Sequence, residues 1–372
     1  MDSMRLRTIC LAAVATMLSI LPANACLNDQ DTLAREARAR PEALNAITGR
    51  FERNPPLYYQ MRITRESAQI AVNPNDLDKY DDVAVAYDRL GDDDSAIAWI
   101  EKKRKHLPPY NAKDAVLKEQ WYRYYANVGT FWMHRWAHLG ADMEKKGDVK
   151  VASAFIEKAI AIKPNAHFGR EKYQLLIMKW VLNAKSETLP QALAGSPPTE
   201  ASTALSGLIE LGGAWQSFDV YYALSEILHG DEEKTHALGT LAALRAYEIY
   251  KAGGRSLHPE LIEEGTAESL QQGGYFIGDG MQDQYDRLRK EADDWETNRT
   301  AYMMARLTKG DHPDADPNFW ADYHPSPMPE IVSPRELRGR HAVAVQNFLL
   351  ASLLVVIVAC GALIYYRRKG RH

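Results

Sequence analysis

The sequence predicts an all-α protein, a solenoid of stacked helical hairpins followed by a single C-terminal transmembrane helix. Three observations lead to this fold class. Helix-forming residues dominate, and aromatic and aliphatic side chains recur at spacings of three and four between Cys26 and Arg340, without any segment of period two. Two stretches share eight positions at the same internal spacing, 56 residues apart. A long uncharged stretch lies close to the C-terminus.

Residues 1–25 have the features of a secretory signal peptide. Two arginines precede an apolar run at Ile9–Leu21, and Ala23 and Ala25 provide the small residues that a signal peptidase recognises. The run is shorter than the about 20 residues that span a membrane, which favours cleavage after Ala25 over an anchor. Cys26 would then be either an ordinary free cysteine or a lipidated lipoprotein cysteine, although a lipoprotein signal usually has leucine where Ala23 stands.

The repeated positions predict two pairs of antiparallel helices. In the first unit they are Tyr80, Val83, Ala84, Tyr87, Gly91, Ala96, Ile100 and Pro108. In the second they are Trp136, Leu139, Gly140, Met143, Gly147, Ala152, Ile156 and Pro164. Glycine is predicted to end the first helix of each pair at Gly91 and Gly147, and proline the second. The small residues where two backbones approach are predicted to be Ala84, Ala96, Gly140, Ala152 and Ala159.

This pattern resembles the tetratricopeptide repeat (TPR), which has a bulky residue, Leu, Gly, Tyr, a turn glycine, Ala, an apolar residue, Ala and a closing proline. The first unit departs from it at Lys103, where a small residue is expected. The segments 26–33 and 47–51 are similar to the opening of a group of uncharacterised bacterial membrane-anchored TPR proteins. That similarity implies no known activity.

Further helices are predicted on both sides of the two units. Pro74 precedes Pro108 by one 34-residue period, so the helix at Leu57–Val72 belongs to a degenerate earlier unit. An extended helix at Ala112–Lys145 accounts for the offset between the units, and His167–Ala184 would begin a third unit. The predicted TPR-like region is therefore 26–185. A loop at Leu189–Pro198 follows, and diverged hairpins occupy 186–310, with helices at Ala201–Leu211, Phe218–Leu228, Glu232–Lys251 and Met281–Leu307.

The C-terminal part predicts attachment to a membrane. Residues 311–341 are rich in proline and are predicted to form a stalk. Residues 342–366 are uncharged and long enough for one transmembrane helix, and residues 367–372 form a basic tail. Basic residues flank both ends of the span, so the signal peptide decides the orientation. The bulk is expected outside the cytoplasm, in the periplasm or at the cell surface, and the tail inside.

Charge and cysteine content limit the classes of partner. Of 45 basic and 49 acidic residues, two arginines and one aspartate lie in the signal segment and four basic residues lie in the tail, which leaves 39 basic and 48 acidic residues. This excess of acidic residues argues against nucleic acid or an anionic lipid surface as the main partner. Cys10 and Cys360 lie in the signal and the span, so Cys26 has no disulfide partner and core burial must stabilise the exported part.

Two groups of residues could hold a metal ion, and both have a simpler interpretation. His134 and His138 share one face of a predicted helix, but no third ligand is identifiable and both can be packing residues. Acidic and histidine side chains cluster in the stalk with a spacing that matches no standard calcium loop. They are Asp311, His312, Asp314, Asp316, Asp322 and His324.

No motif of a serine hydrolase, zinc protease or phosphate-binding loop occurs. No catalytic residue, metal or cofactor is therefore predicted, and an envelope enzyme or metal-dependent hydrolase without a local motif is kept as the alternative.

The TPR resemblance implies a groove lined by the first helix of each pair, which would bind a protein or peptide. The residues on that face are Asp78, Asp81, Val85 and Asp88 in the first unit and His134, Ala137, Ala141, Glu144 and Lys145 in the second. The acidic half indicates a basic or neutral partner segment, unless it is only a solvated face. The expected function is a membrane-anchored extracytoplasmic interaction scaffold or assembly factor, with a purely structural anchor as a further alternative. A small-molecule substrate is not expected.

Overall fold

A computed structural model describes residues 41–164, 166–211, 213–230, 235–274 and 280–327. Within these ranges every regular element is a helix, which confirms the all-α class. None of the described helices is long and apolar enough to cross a membrane. The predicted signal peptide, Cys26, the transmembrane helix at 342–366 and the tail lie outside the described residues.

The described part of the chain contains 13 α-helices and three short 3₁₀-helices. The α-helices are α1 (Pro41–Thr48), α2 (Pro56–Val72), α3 (Leu77–Arg89), α4 (Asp93–His106), α5 (Ala115–His138), α6 (Gly147–Ile162), α7 (Arg170–Leu182), α8 (Leu189–Leu193), α9 (Pro198–Leu211), α10 (Phe218–His229), α11 (His236–Lys251), α12 (Thr266–Gln271) and α13 (Met281–Leu307). The 3₁₀-helices are Ala166–Gly169, Ala214–Gln216 and Pro259–Leu261. Neighbouring helices in sequence pack most extensively, above all α5 with α6 and α10 with α11.

Several predicted helices have the expected bounds, because local signals set them. The bounds of α13 are those predicted. α10 also begins at the predicted residue, because Ser217 caps it: the Ser217 hydroxyl accepts a hydrogen bond from the Val220 N–H (3.3 Å). The predicted loop at 189–198 instead contains the short α8. There Thr188 and Gln191 form a capping box that starts the helix.

The largest core lies where α9, α10 and α11 pack around α1. Leu44 and Ile47 of α1 are buried in the same apolar cluster as Leu224 of α10. The Tyr221 hydroxyl, also from α10, donates a hydrogen bond to the Ala46 carbonyl (2.7 Å) and fixes the two helices together. The regions predicted as 26–185 and 186–310 therefore share one core.

The first predicted pair is found as α3 and α4, joined by a three-residue turn. Gly91 has a φ of +78° in that turn, a conformation that favours glycine and ends α3 as predicted. Ala84 and Ala96 are completely buried, as expected for helices that pack closely. Pro108 lies two residues beyond the end of α4.

The second predicted pair, α5 and α6, differs from the prediction in the connection. α5 ends at His138 and not at the predicted Lys145. Gly140, with a φ of +95°, lies in the turn after α5, whereas Gly147 is the first residue of α6. Leu139, predicted as a repeat position, is 75% exposed. The indole N–H of Trp136 donates to the Asp142 carbonyl (3.0 Å), which fastens the connection to the last turn of α5.

The small residue that brings α5 close to α6 is Gly129 and not Gly140. A Cβ atom at Gly129 would lie 2.7 Å from the Ile156 side chain and 3.0 Å from the Ala152 carbonyl oxygen, whereas one at Gly140 would meet nothing within 4 Å. Ala152 and Ala159 of α6 are completely buried, as predicted. The close approach therefore lies nearer the middle of α5 than the repeat alignment placed it.

The first part of the predicted stalk packs against the helical body. Phe319 is completely buried in a cluster with residues of α2 and α13. Asp314 accepts hydrogen bonds from Arg62 (2.7 Å) and Arg65 (2.7 Å) of α2, and His312 is buried beneath it. Residues 311–327 are thus a docked segment, because aromatic burial and ion pairs compensate for the absence of regular structure.

Candidate functional site

A cleft with a cavity of about 370 Å³ opens between α5, α7, α10 and the turn before α10. This volume lies within the range of about 300–1,000 Å³ that is usual for ligand sites. Its walls are mostly apolar, and each contributing helix supplies part of them. The apolar wall residues include Met133, Ile177, Met178, Leu208, Val220 and Leu257. The cleft therefore offers a water-accessible apolar surface to a ligand.

Three of the predicted partner-binding residues line this cleft, namely His134, Ala137 and Ala141. His134 stands at the α3 side, where its Nδ1 lies 2.8 Å from a carboxylate oxygen of Asp88. Ala137 is exposed on the last turn of α5. The α5 half of the predicted groove thus coincides with one wall of the cleft.

α5 covers the α3 half of the predicted groove at Asp81 and Val85, whereas Asp78 in the first turn of α3 stays exposed. Asp81 is 8% exposed and accepts hydrogen bonds from Lys103 (2.5 Å) and Asn127 (3.1 Å). Asp78 accepts from Arg123 (3.0 Å), and Val85 packs in the apolar cluster between α3, α4 and α5. These residues form a joint between helices, because the 24-residue α5 lies across the face that the prediction left open.

Lys103 explains the departure of the first unit from the repeat pattern. Its side chain is completely buried, and its ammonium group reaches Asp81 across the α3–α4 pair. Burial lowers the pKa of Lys103, and the attraction of Asp81 partly opposes that shift. A buried lysine is tolerated here because a carboxylate neutralises it.

The two remaining predicted residues, Glu144 and Lys145, lie in the connection after α5 and not on a helix. Both are exposed, and Lys145 forms an ion pair with Asp142 (3.0 Å). Neither residue lines the cleft. The prediction placed them on α5 because the repeat alignment assigned Gly140 to a contact between helices, whereas Gly140 is the left-handed glycine that ends α5.

Each histidine of the predicted pair lies within hydrogen-bond distance of a carboxylate. His138 Nδ1 lies 2.8 Å from Asp93, as His134 Nδ1 does from Asp88, and the two rings are 6.1 Å apart. Burial raises the pKa of Asp93, and His138 opposes the shift. In the part of the chain that the structure describes, no three His, Cys, Asp or Glu side chains converge on a metal site. The histidines instead tie α5 to α3 and α4.

The acidic cluster of the predicted stalk likewise pairs with arginines. Arg306 of α13 lies 2.8 Å from Asp316 and 3.5 Å from Asp311. Burial favours a raised pKa for Asp314, but hydrogen bonds from Arg62 and Arg65 outweigh it and hold that pKa well below its usual range. These carboxylates therefore dock residues 311–327 on α2 and α13.

The far wall of the cleft contains polar residues that the sequence analysis did not identify. Asp219 is buried at the start of α10 and accepts a hydrogen bond from the Leu257 N–H (2.8 Å). Burial raises the pKa of Asp219, and the Ser256 hydroxyl opposes the shift. Arg255 is exposed at the mouth, with its guanidinium 4.1 Å above the Tyr250 ring. No local motif marks these residues, because only the tertiary fold brings the start of α10 and the segment after α11 to the cleft opposite α5 and α7.

Comparison of the chain with family models, with curated proteins and with solved structures finds no match. The function is therefore inferred from the geometry of the cleft.

Proposed function

We propose that the protein is a membrane-anchored, extracytoplasmic TPR-like scaffold or assembly factor that binds a peptide segment of a partner protein in the cleft. The observation that carries this proposal is the position of His134, Ala137 and Ala141. The TPR resemblance implies these residues as groove residues, and they line an apolar cavity of about 370 Å³.

The cleft has the composition of a binding surface. Its apolar walls supply the area that drives association, and polar side chains at the rim can direct a partner's backbone. Gln174 and Gln216 belong to this rim. Leu211, three residues beyond Leu208 on α9, is 56% exposed and extends the apolar surface beyond the cavity. A partner that inserts an apolar side chain would cover these residues.

A bulky substitution inside the cleft tests the proposal directly. Ala137→Trp should fill the cavity, and Ala301→Trp is its matched control on an exposed position of α13. The full-length proteins would be captured from membranes under mild detergent and their partners compared. We expect a partner that is retained by the wild type and by Ala301→Trp but lost with Ala137→Trp. Identical partner sets for both variants would contradict binding in the cleft.

The proposed membrane topology has a separate test. Removing residues 342–372 should release the protein from the membrane fraction, and the released form should be exported if residues 1–25 act as a signal peptide. Fractionation of the envelope with antibody detection measures both outcomes. Continued membrane association of the truncated chain would contradict a single C-terminal anchor.

A further inference from the structure

A second cavity of about 220 Å³ adjoins the cleft. Phe218 and Arg255 line both cavities, so they form the partition between them. The other walls of the smaller cavity include Tyr250, Pro259 and Ile262. One cationic side chain therefore stands between two mostly apolar spaces.

The guanidinium of Arg255 is held in place without a counter-ion. Its Nη1 donates hydrogen bonds to the carbonyls of Tyr250 (2.8 Å) and Gly254 (2.7 Å), and the group stacks above the Tyr250 ring. No carboxylate of the described residues pairs with it. Because both bonds use Nη1, the Nε and Nη2 groups keep donors that suit an incoming carboxylate.

The acidic side chains around the cleft already have partners within the chain. Asp88 pairs with His134, and Asp219 is buried with the Leu257 N–H bonded to it. Asp81, part of the acidic face that predicted a basic partner, does not line the cleft and pairs with Lys103. Of the carboxylate of Asp219 and the guanidinium of Arg255, which both line the cleft, only the guanidinium is exposed to a ligand.

We propose that the two cavities bind a peptide in which one acidic side chain lies between two apolar side chains, with Arg255 pairing with the acidic group. This inference rests on the proposed function and specifies the chemistry of the partner. In an extended peptide, residues i, i+2 and i+4 point to one side, so an apolar-x-acidic-x-apolar sequence presents the required order. Gln174 and Gln216 at the rim offer groups that a peptide backbone can use.

Three synthetic peptides test the inference. They have the sequence acetyl-Gly-Leu-Ser-X-Ser-Leu-Gly-amide with a fluorescent label, where X is Glu, Gln or Lys. Fluorescence anisotropy would measure their binding to the full-length protein in nanodiscs at low and high salt. Arg255→Gln removes the cation, and Lys251→Gln is the matched control, because Lys251 is the exposed last residue of α11, four residues before Arg255, and lines neither cavity.

The wild type should bind the Glu peptide about fivefold more tightly than the Gln peptide at low salt, and the Lys peptide least tightly, because a rim ion pair contributes modestly and is screened by salt. Arg255→Gln should make the affinities of the three peptides similar, and Lys251→Gln should leave the order of affinities unchanged. Arg255→Glu should bind the Lys peptide most tightly.

Three other results would overturn the inference. Equal binding of all three peptides would leave the proposed function intact but remove the acidic preference. No binding of any peptide to the wild type would contradict both proposals. Tighter binding of decanoate than of any peptide would assign the cavities to an acyl chain.

Discussion

The joint of α3 with α4 and α5 contains a buried ion pair, whereas the closest contact between α5 and α6 is apolar. The first is made by Asp81 of α3 with Lys103 of α4 and Asn127 of α5, and the second by Gly129 against Ile156. α5 contributes to both contacts, yet on one side it meets buried charge and on the other a tightly packed apolar surface. The comparison shows that a charged helix face is not by itself a binding surface, because a neighbouring helix can bury and neutralise it.

Removing the cation from the polar joint should have the largest effect. Lys103→Met leaves the carboxylate of Asp81 buried without its counter-ion, which should cost about 3–5 kcal/mol of unfolding free energy. The double variant Lys103→Met with Asp81→Asn should recover more than half of that loss, because no buried charge remains. Urea unfolding followed by circular dichroism measures both. A loss below about 1 kcal/mol in the single variant would show that the joint is not as buried as described.

Adding a side chain at the apolar contact should have the next largest effect. Gly129→Val places new atoms against Ile156 and the Ala152 carbonyl oxygen and should cost about 2–3 kcal/mol through overpacking. Gly147→Val is the matched control, because a Cβ there meets nothing within 4 Å. Thermal unfolding of the two variants separates packing from the general effect of replacing glycine. Equal destabilisation by both would remove the special role of Gly129.

The docked segment 311–327 should respond to pH with a smaller change. The folded-state pKa of Asp314 is lowered, so its contribution is fully present above the unfolded pKa of about 3.9 and is lost as pH falls below that value. Asp314→Asn should cost about 1–2 kcal/mol at neutral pH, because Arg62 and Arg65 lose a partly exposed partner. Hydrogen-exchange protection factors of residues 311–327, which are corrected for the intrinsic exchange rate at each pH, should therefore fall in the variant at pH 7 and in the wild type below about pH 4. Unchanged protection in the variant would show that the aromatic cluster alone docks the segment.

Local sequence patterns were sufficient to predict most helices but not their partners. Gly91 ends α3 as predicted, and the structure confirms the predicted bounds of α13 and the predicted start of α10. The end of α5 was predicted wrongly, because the repeat alignment assigned Gly140 to a contact between helices and Gly147 to the end of the helix. In the structure Gly140 ends α5 and Gly147 begins α6.

The candidate site was predicted only on its α5 side. His134, Ala137 and Ala141 lie on that wall. The opposite wall comes from residues 174–257, in the predicted third unit and diverged hairpins, where no groove residue was predicted. Asp78, Asp81 and Asp88 fit the pattern of a solvated acidic face equally well, because spacing along a helix does not reveal what packs against it. The sequence analysis noted Lys103 only as a departure from the repeat pattern, although a lysine at a small-residue position could have suggested the buried carboxylate partner that the structure shows in Asp81.

Site-specific photo-crosslinking in intact cells tests the central claim most directly. A photoreactive amino acid would be placed at Ala137 in the cleft and, for comparison, at Asp78 on the α3 face, since both positions are exposed. Binding in the cleft predicts a partner crosslinked from position 137 and not from position 78. Crosslinking from position 78 alone would contradict it and return the binding surface to the acidic face of α3.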